Sequence, residues 1–175
     1  MASSFLAISS YMSAAPLNPN YKADEYEFYL NDLKPKIVLV EPNSKNSVVD
    51  VAKKLKIPIC EIKIQKDSPP GLFDLFEKSS EYSLPEENDE ALVLHTSGTT
   101  SRPKIVPLTN KNIFSSAVNI SKSLELSEID HCLNIMPLFH IHGLIAILAT
   151  SMKVGASVCA SNGFNAIKFL ELAKS

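Results

Sequence analysis

Leu92-Val93-Leu94-His95-Thr96-Ser97-Gly98-Thr99-Thr100-Ser101-Arg102-Pro103-Lys104 is the stretch on which the reading of this chain turns. An apolar run suited to a buried strand leads directly into Thr96 to Ser101, all small or hydroxylated, and two cations close the segment. A polyphosphate needs many hydrogen-bond donors that approach closely, together with positive charge. Hydroxyls supply donors, Gly98 permits close backbone approach, and the main-chain N–H groups of a turn form an anion nest. Each charge-assisted hydrogen bond contributes about 1.5–3 kcal/mol. A handful therefore suffices for micromolar to millimolar nucleotide binding after the costs of association. The stretch is not a Walker A loop, which places glycine directly before the lysine and a hydroxyl directly after it. Here Pro103 and Ile105 stand in those places, which disfavours a P-loop NTPase. A solvated Ser/Thr-rich surface loop is the plain alternative, and the fixed order of the residues weighs against it.

Outward from this stretch, helix-like and strand-like segments alternate. Tyr26, Tyr29, Leu30 and Leu33 recur at helical spacing over residues 23–33, and Pro35 follows as a stop signal. Residues 37–40 form a short apolar run closed by Pro42, which predicts a buried parallel strand. Asn46 caps a predicted helix with Val48, Val49, Ala52 and Leu55 on its apolar face, and residues 57–64 read as a further strand. Residues 65–90, with Ser68-Pro69-Pro70-Gly71 and an acidic run at 86–90, read as a connection. Within it a turn or two of helix is expected around Leu72, Phe73, Leu75 and Phe76. Beyond it the pattern predicts a strand at 91–95 and a helix capped by Thr109 or Asn110, with Ile113, Ala117, Ile120 and Leu124 on one face. A strand at 132–136, a helix at 141–152, a strand at 156–159 and a helix at 164–173 complete it. This rhythm predicts a layered α/β fold, a largely parallel sheet flanked by helices. The pieces are 1–64, the connection 65–90, and 91–175, which carries the phosphate loop.

Met136-Pro137-Leu138-Phe139-His140-Ile141-His142-Gly143-Leu144 is the second segment of interest. Two histidines two residues apart, beside Cys132, raise the question of a metal, but no second cluster stands at ligand spacing and no carboxylate is near in sequence. A buried structural histidine is the stronger plain reading. His95 and His131 read as structural.

Composition narrows the partners. With 45% hydrophobic residues, 21% charged residues and a formal net charge of -2, the 175-residue chain has no basic footprint for nucleic acid. Lys53, Lys54 and Lys56 read as solvated cations near a helix end. No apolar stretch reaches the roughly 18 residues that span a bilayer, and residues 1–15 make a poor signal peptide. Cys60, Cys132 and Cys159 are odd in number and widely spaced, which predicts buried reduced thiols and a cytoplasmic setting.

Residues 92–104 resemble the phosphate-binding signature of the adenylate-forming superfamily of acyl- and aryl-CoA synthetases, luciferases and peptide-synthetase adenylation domains. Ser101-Arg102 after the two threonines is most similar to the oxalate–CoA ligase and peroxisomal-type synthetases. Ala14-Ala15-Pro16-Leu17-Asn18-Pro19 and the later Tyr26-Glu27-Phe28-Tyr29-Leu30 resemble an upstream segment of that group. The resemblance implies the large N-terminal domain of such an enzyme, with ATP and Mg²⁺, coenzyme A as co-substrate, and a small carboxylic acid such as oxalate. It assigns Thr96, Ser97, Gly98, Thr99, Thr100 and Lys104 to the nucleotide, and Thr100 to the Mg²⁺. It matches Pro137 to His140 to a Pro-x-Phe-His motif whose histidine faces the acyl carboxylate, so His140 is the expected catalytic residue, with His142 beside it in the acid pocket.

The resemblance also marks departures. Most relatives carry glycine after the lysine, where this chain has Ile105; a β-branched residue resists positive φ, so a stiffer loop is expected. Residues 110–175 contain neither the Tyr-Gly-x-Thr-Glu-like segment nor the later aspartate and lysine of the family. The chain therefore reads as a fragment, clipped at its start as well, that needs the rest of the enzyme for turnover. Peroxisomal residence would follow if that remainder carries a targeting signal. The alternative is a non-catalytic nucleotide-binding or structural α/β module.

Overall fold

The computed structural model describes residues 1–64, 67, 69, 71–75, 83–96, 103–161 and 163–174. They form two compact units, one of Leu17–Ser83 and one that joins Met1–Pro16 to Leu84–Ser175.

In the Leu17–Ser83 unit, α2 (Ala23–Leu33) buries Tyr26 and Leu30, one turn apart on a single face. Its first turn is closed by the Glu25 carboxylate, which accepts from the Lys22 amide at 2.9 Å. Lys34 ends it in the left-handed conformation, directly before Pro35. Strand β1 (Val38–Val40) follows, and α3 (Val48–Lys54) starts where the Asn46 Oδ1 accepts from the Val48 amide at 2.9 Å. Strand β2 (Ile59–Glu61) then pairs parallel with β1, Val38 opposite Ile59. One core of Tyr26, Leu30, Val38, Val40, Val48, Val51 and Ala52 holds these elements, with Val49 and Leu55 packed at its edge. Lys53, Lys54 and Lys56 are exposed, and Lys54 reaches the Glu27 carboxylate at 2.7 Å.

Two expectations are corrected here. The strand predicted over 57–64 shortens to Ile59–Glu61. Leu72, Phe73 and Leu75 are not helical: Lys63 and Asp74 form an antiparallel bridge with reciprocal N–H···O bonds of 2.9 Å. A single helical turn is costly to nucleate, so the two backbone bonds between Asp74 and Lys63 outweigh it. Phe76 lies outside the described residues.

The second unit begins with α1 (Ala2–Ser9), which buries Phe5. Ala14 then adds one parallel bridge to Leu92 at the flank of β3 (Glu90–Thr96). Strand β4 (Lys104–Thr109) returns antiparallel along β3, Leu92 opposite Leu108 and Thr96 opposite Lys104. Residue pattern alone does not predict β4, because Pro107 interrupts the short apolar run from Ile105 to Leu108. Thr109 caps α4 (Asn110–Ser123): its hydroxyl accepts from the Asn112 amide at 3.2 Å. On α4, Ala117 and Ser121 are buried, whereas Leu124, predicted on the apolar face, is the exposed C-cap. The acidic run is drawn onto the start of this helix, the Asp89 and Glu87 carbonyls accepting from the Asn110 and Lys111 amides at 3.0 and 2.8 Å.

Strand β5 (His131–Asn134) leads through the His140 turn into a π-helical segment (His142–Ala149) that continues as α5 (Thr150–Val154). The Ile145 carbonyl accepts both the Thr150 amide, in the i to i+5 pattern of the wider helix, and the buried Thr150 hydroxyl at 2.8 Å. Gly155 ends α5 with a positive φ of 80°, and β6 (Ser157–Ala160) pairs parallel with β5 before the short α6 (Ala166–Leu172). Phe5, Ala14, Leu92, Leu94, Leu144, Ile145 and Leu148 make the core of this unit. The fold class among the described residues is thus α/β, with a parallel strand pair in the Leu17–Ser83 unit and a parallel pair and an antiparallel hairpin in the other, each a separate two-stranded sheet.

The thiols depart from expectation. All three are free, but Cys60 and Cys132 are only half-buried and Cys159 is exposed, on strands of three or four residues. Among the described residues no helix is long and apolar enough to cross a membrane.

Candidate functional site

Strand β3 is the anchor of the site. Leu92 is fully buried at 0% exposure and Leu94 nearly so, so the strand cannot slip by one residue without turning its apolar side out of the core. That register delivers Thr96 to the last position of β3 and Lys104 to the first position of β4, as direct partners in the ladder. Both side chains are exposed. Ser97, Gly98, Thr99 and Thr100 lie outside the described residues. What the ladder establishes is the gate of that segment: its two ends are held one strand spacing apart, a hydroxyl on one side and an ammonium on the other.

Ile105 is the next β4 residue, opposite His95 and 40% exposed. It is not among the residues with positive φ. A β-branched side chain suits an extended ladder position, so the conformation that Ile105 would resist is one it does not have to adopt.

The second half of the site is the turn after β5. The Pro137 carbonyl accepts from the His140 amide at 3.1 Å. Gly143 then passes so close to this turn that a Cβ there would lie 2.7 Å from the Pro137 oxygen and 3.1 Å from the Met136 oxygen. Only glycine lets the π-helical segment start there. His140 and His142 are both exposed, and the His142 amide donates to Nδ1 of His140 at 3.3 Å. With Nδ1 accepting, the neutral ring carries its hydrogen on Nε2, which leaves that edge as a donor. Leu138 packs against the same core as Leu94 and Leu144, so the His140 turn and the end of β3 rest on one cluster of side chains.

Among the described residues no group of three or more His, Cys, Asp or Glu side chains is placed to hold a metal ion. His131 has its Nδ1 against the Ser157 hydroxyl across the β5–β6 pair, and His95 sits half-buried within β3. A cavity of about 330 Å³ lies beneath α6, lined by Leu133, Ile135, Phe164 and Phe169 among others; no residue assigned to nucleotide or acid lines it.

Gly143 and Asn134, which shape the turn, were not singled out in the sequence. A glycine opening an otherwise apolar helix six residues after a proline is the signal that could have found the first.

The sequence matches the AMP-binding enzyme family over residues 1–174. The chain belongs to that family. Among curated AMP-binding relatives, the oxalate–CoA ligase of Arabidopsis thaliana is 40% identical over 173 residues, covering 94% of this chain and 34% of the relative. The oxalate–CoA ligase of Saccharomyces cerevisiae is 34% identical, covering 86% of this chain and 33% of the relative. The chain therefore spans about a third of the length of the curated relatives it matches. Apo MatB from Rhodopseudomonas palustris superposes with a TM-score of 0.76 at 23% identity, over 97% of this chain and 34% of that one. The o-succinylbenzoate CoA synthetase MenE of Bacillus subtilis, in complex with its acyl-adenylate intermediate, gives a TM-score of 0.73 at 24% identity, over 99% and 44%. At these identities the structures share the fold.

Proposed function

We propose that this chain supplies the phosphate-loop region of an ATP-dependent carboxylate–CoA ligase whose acid is small and polar, such as oxalate. The observation that carries the reading is the opposition of Thr96 and Lys104 at the mouth of a hydroxyl-rich loop, on a strand locked by buried leucines. Identity of 40% to an oxalate–CoA ligase supports the choice of acid.

In this reading a carboxylate oxygen attacks the α-phosphorus of ATP, the bond from that phosphorus to the bridging oxygen breaks, and pyrophosphate leaves. The coenzyme A thiol, giving up its proton, then attacks the acyl carbon, and AMP leaves as the thioester forms. Thr96, Ser97, Gly98, Thr99 and Thr100 donate to phosphate oxygens and Lys104 offsets their charge. His140 presents its Nε2–H to the carboxylate and orients it for in-line attack, and His142 borders the same pocket, where a donor suits a polar acid better than a fatty chain. A bound Mg²⁺ would neutralise developing charge on the phosphates, held on this side by Thr100 and otherwise by residues outside these 175.

The exposed hydroxyl and ammonium that bracket the loop fit a nucleotide polyphosphate. The family's carboxylate for Mg²⁺ and its transition-state lysine are not in this sequence, so the chain alone binds nucleotide without turning it over. Residence follows that of the full ligase, cytoplasmic or, with a targeting signal elsewhere, peroxisomal.

Calorimetry with ATP tests the first half: binding should be lost in Lys104→Ala and Thr99→Ala. Pyrophosphate release with oxalate, on adding the remainder of the ligase, tests the second. ATP binding without pyrophosphate in that mixture would leave a non-catalytic nucleotide-binding module, and no ATP binding at all would leave a structural α/β unit.

A further inference from the structure

We infer that Asn134 is a positioning residue for His140, an inference that rests on the reading of His140 as the group facing the acid. Asn134 is the last residue of β5 and only 1% exposed. Its Oδ1 accepts from the Met136 amide at 2.9 Å, closing a side-chain turn two residues long. Its own carbonyl accepts from the Ser161 amide at 3.0 Å and the Ser161 hydroxyl at 3.3 Å, which ties the end of β5 to the chain leaving β6. The other half of the amide meets nothing: Nδ2 is buried with no acceptor among the described residues.

A buried donor without a partner is destabilising, and an apolar residue would fill the site without that penalty. What an apolar residue could not do is hold Met136. The Met136 and Pro137 carbonyls are the two oxygens against which Gly143 packs, and Pro137 also accepts from the His140 amide. Asn134 thus sets the peptide on which both sides of the turn rest. The His142 amide reaches His140 Nδ1 only while that turn holds its shape. Asn134 acts on the orientation and tautomer of the imidazole without touching it.

The test compares two β-branched variants of nearly equal shape in the full 175-residue chain. In Asn134→Thr the hydroxyl can still accept from Met136, whereas Asn134→Val cannot, and neither carries an orphan N–H. In the valine variant, hydrogen exchange at the His140 and His142 amides should quicken about tenfold or more. The His140 Nδ1 resonance, read at one alkaline pH, should move toward that of free imidazole. The threonine variant should stay within about twofold of the wild-type exchange rates, since local opening is read at the same amides. Unchanged His140 signals in the valine variant, or equal changes in both variants, would overturn the inference. Protection at Leu92 and Leu94 reports whether each variant folds; should valine fail there, Asn134→Ser against Asn134→Ala reads out the same bond. Titration of oxalate onto the wild-type His140 signals addresses the acid-facing role separately, so its failure leaves the positioning result standing.

Discussion

Thr96 and Lys104 are direct partners across the β3–β4 ladder, so the hydroxyl-rich stretch between them starts and ends on one hairpin anchored by the buried Leu92 and Leu94. Rigidity at the gate limits the entropy that nucleotide binding must overcome. Lys104→Ala should weaken ATP binding at least tenfold, the effect of about 1.5–3 kcal/mol from one charge-assisted bond. Lys104→Arg should retain most of it, and isothermal calorimetry distinguishes the two.

Ile105 sets how firmly that gate is closed. Replacing it with glycine removes a β-branched residue from the ladder opposite His95 and should cost about 1 kcal/mol. Urea unfolding would show the loss, and exchange at Thr96 should quicken. A gain in stability would mean that isoleucine strains this position.

Gly143 meets the Pro137 carbonyl where a Cβ would sit at 2.7 Å. Gly143→Ala must push backbone apart, and overpacking of this kind costs about 1–3 kcal/mol. The His140 signals should shift in the same variant. A chain as stable as wild type would show that the turn can relax without loss.

Asp130 carries a pH signature. Its carboxylate accepts from the Ser127 amide at 2.7 Å and the Ser127 hydroxyl at 2.9 Å, which hold its pKa below the ordinary carboxylate value. A pKa lower in the folded than in the unfolded state means that stability is present above the unfolded value. It is lost as the pH falls through the folded one. Asp130→Asn should therefore be less stable than wild type near neutrality, and the difference should close in acid, as thermal melts across pH would record.

Thr109 opens α4 by accepting from the Asn112 amide, in a capping box whose return bond runs from the Thr109 amide to Asn112 Oδ1 at 3.0 Å. Thr109→Ala should lower stability by about 1 kcal/mol, within the usual span of such caps. Thr109→Ser should restore it.

Local pattern was enough wherever one face of one element does the burying. The 3.6-residue recurrence of Tyr26 and Leu30, the stop at Pro35 and the Asn46 cap appear in the structure as predicted from residue spacing alone. The same holds for the apolar run of β3 and the Thr109 cap. The candidate site was legible to the extent that its chemistry is written in residue type: hydroxyls, glycine and cations in order, and a histidine after Pro-Leu-Phe. Strand β4 was not legible, because Pro107 breaks its short apolar run and only the pairing with β3 supplies its hydrogen bonds. The Lys63–Asp74 bridge was likewise hidden, since its two bonds too come only from the pairing.

Residue chemistry and short-range periodicity, then, were sufficient for the α/β class, for most of the helices and strands other than β4, and for picking out the hydroxyl-rich stretch proposed to meet phosphate, since each depends on neighbours within a turn or two. Contacts that residue type and periodicity do not specify decided the rest: that Ala14 flanks Leu92, that Thr96 meets Lys104, that the His142 amide donates to His140 Nδ1, and that Asn134 keeps an unpaired Nδ2 beneath the turn. Such pairings are chosen by which surfaces fit together once the whole unit has collapsed, whether the partners are near neighbours, as His140 and His142 are, or far apart in the chain, as Ala14 and Leu92 are.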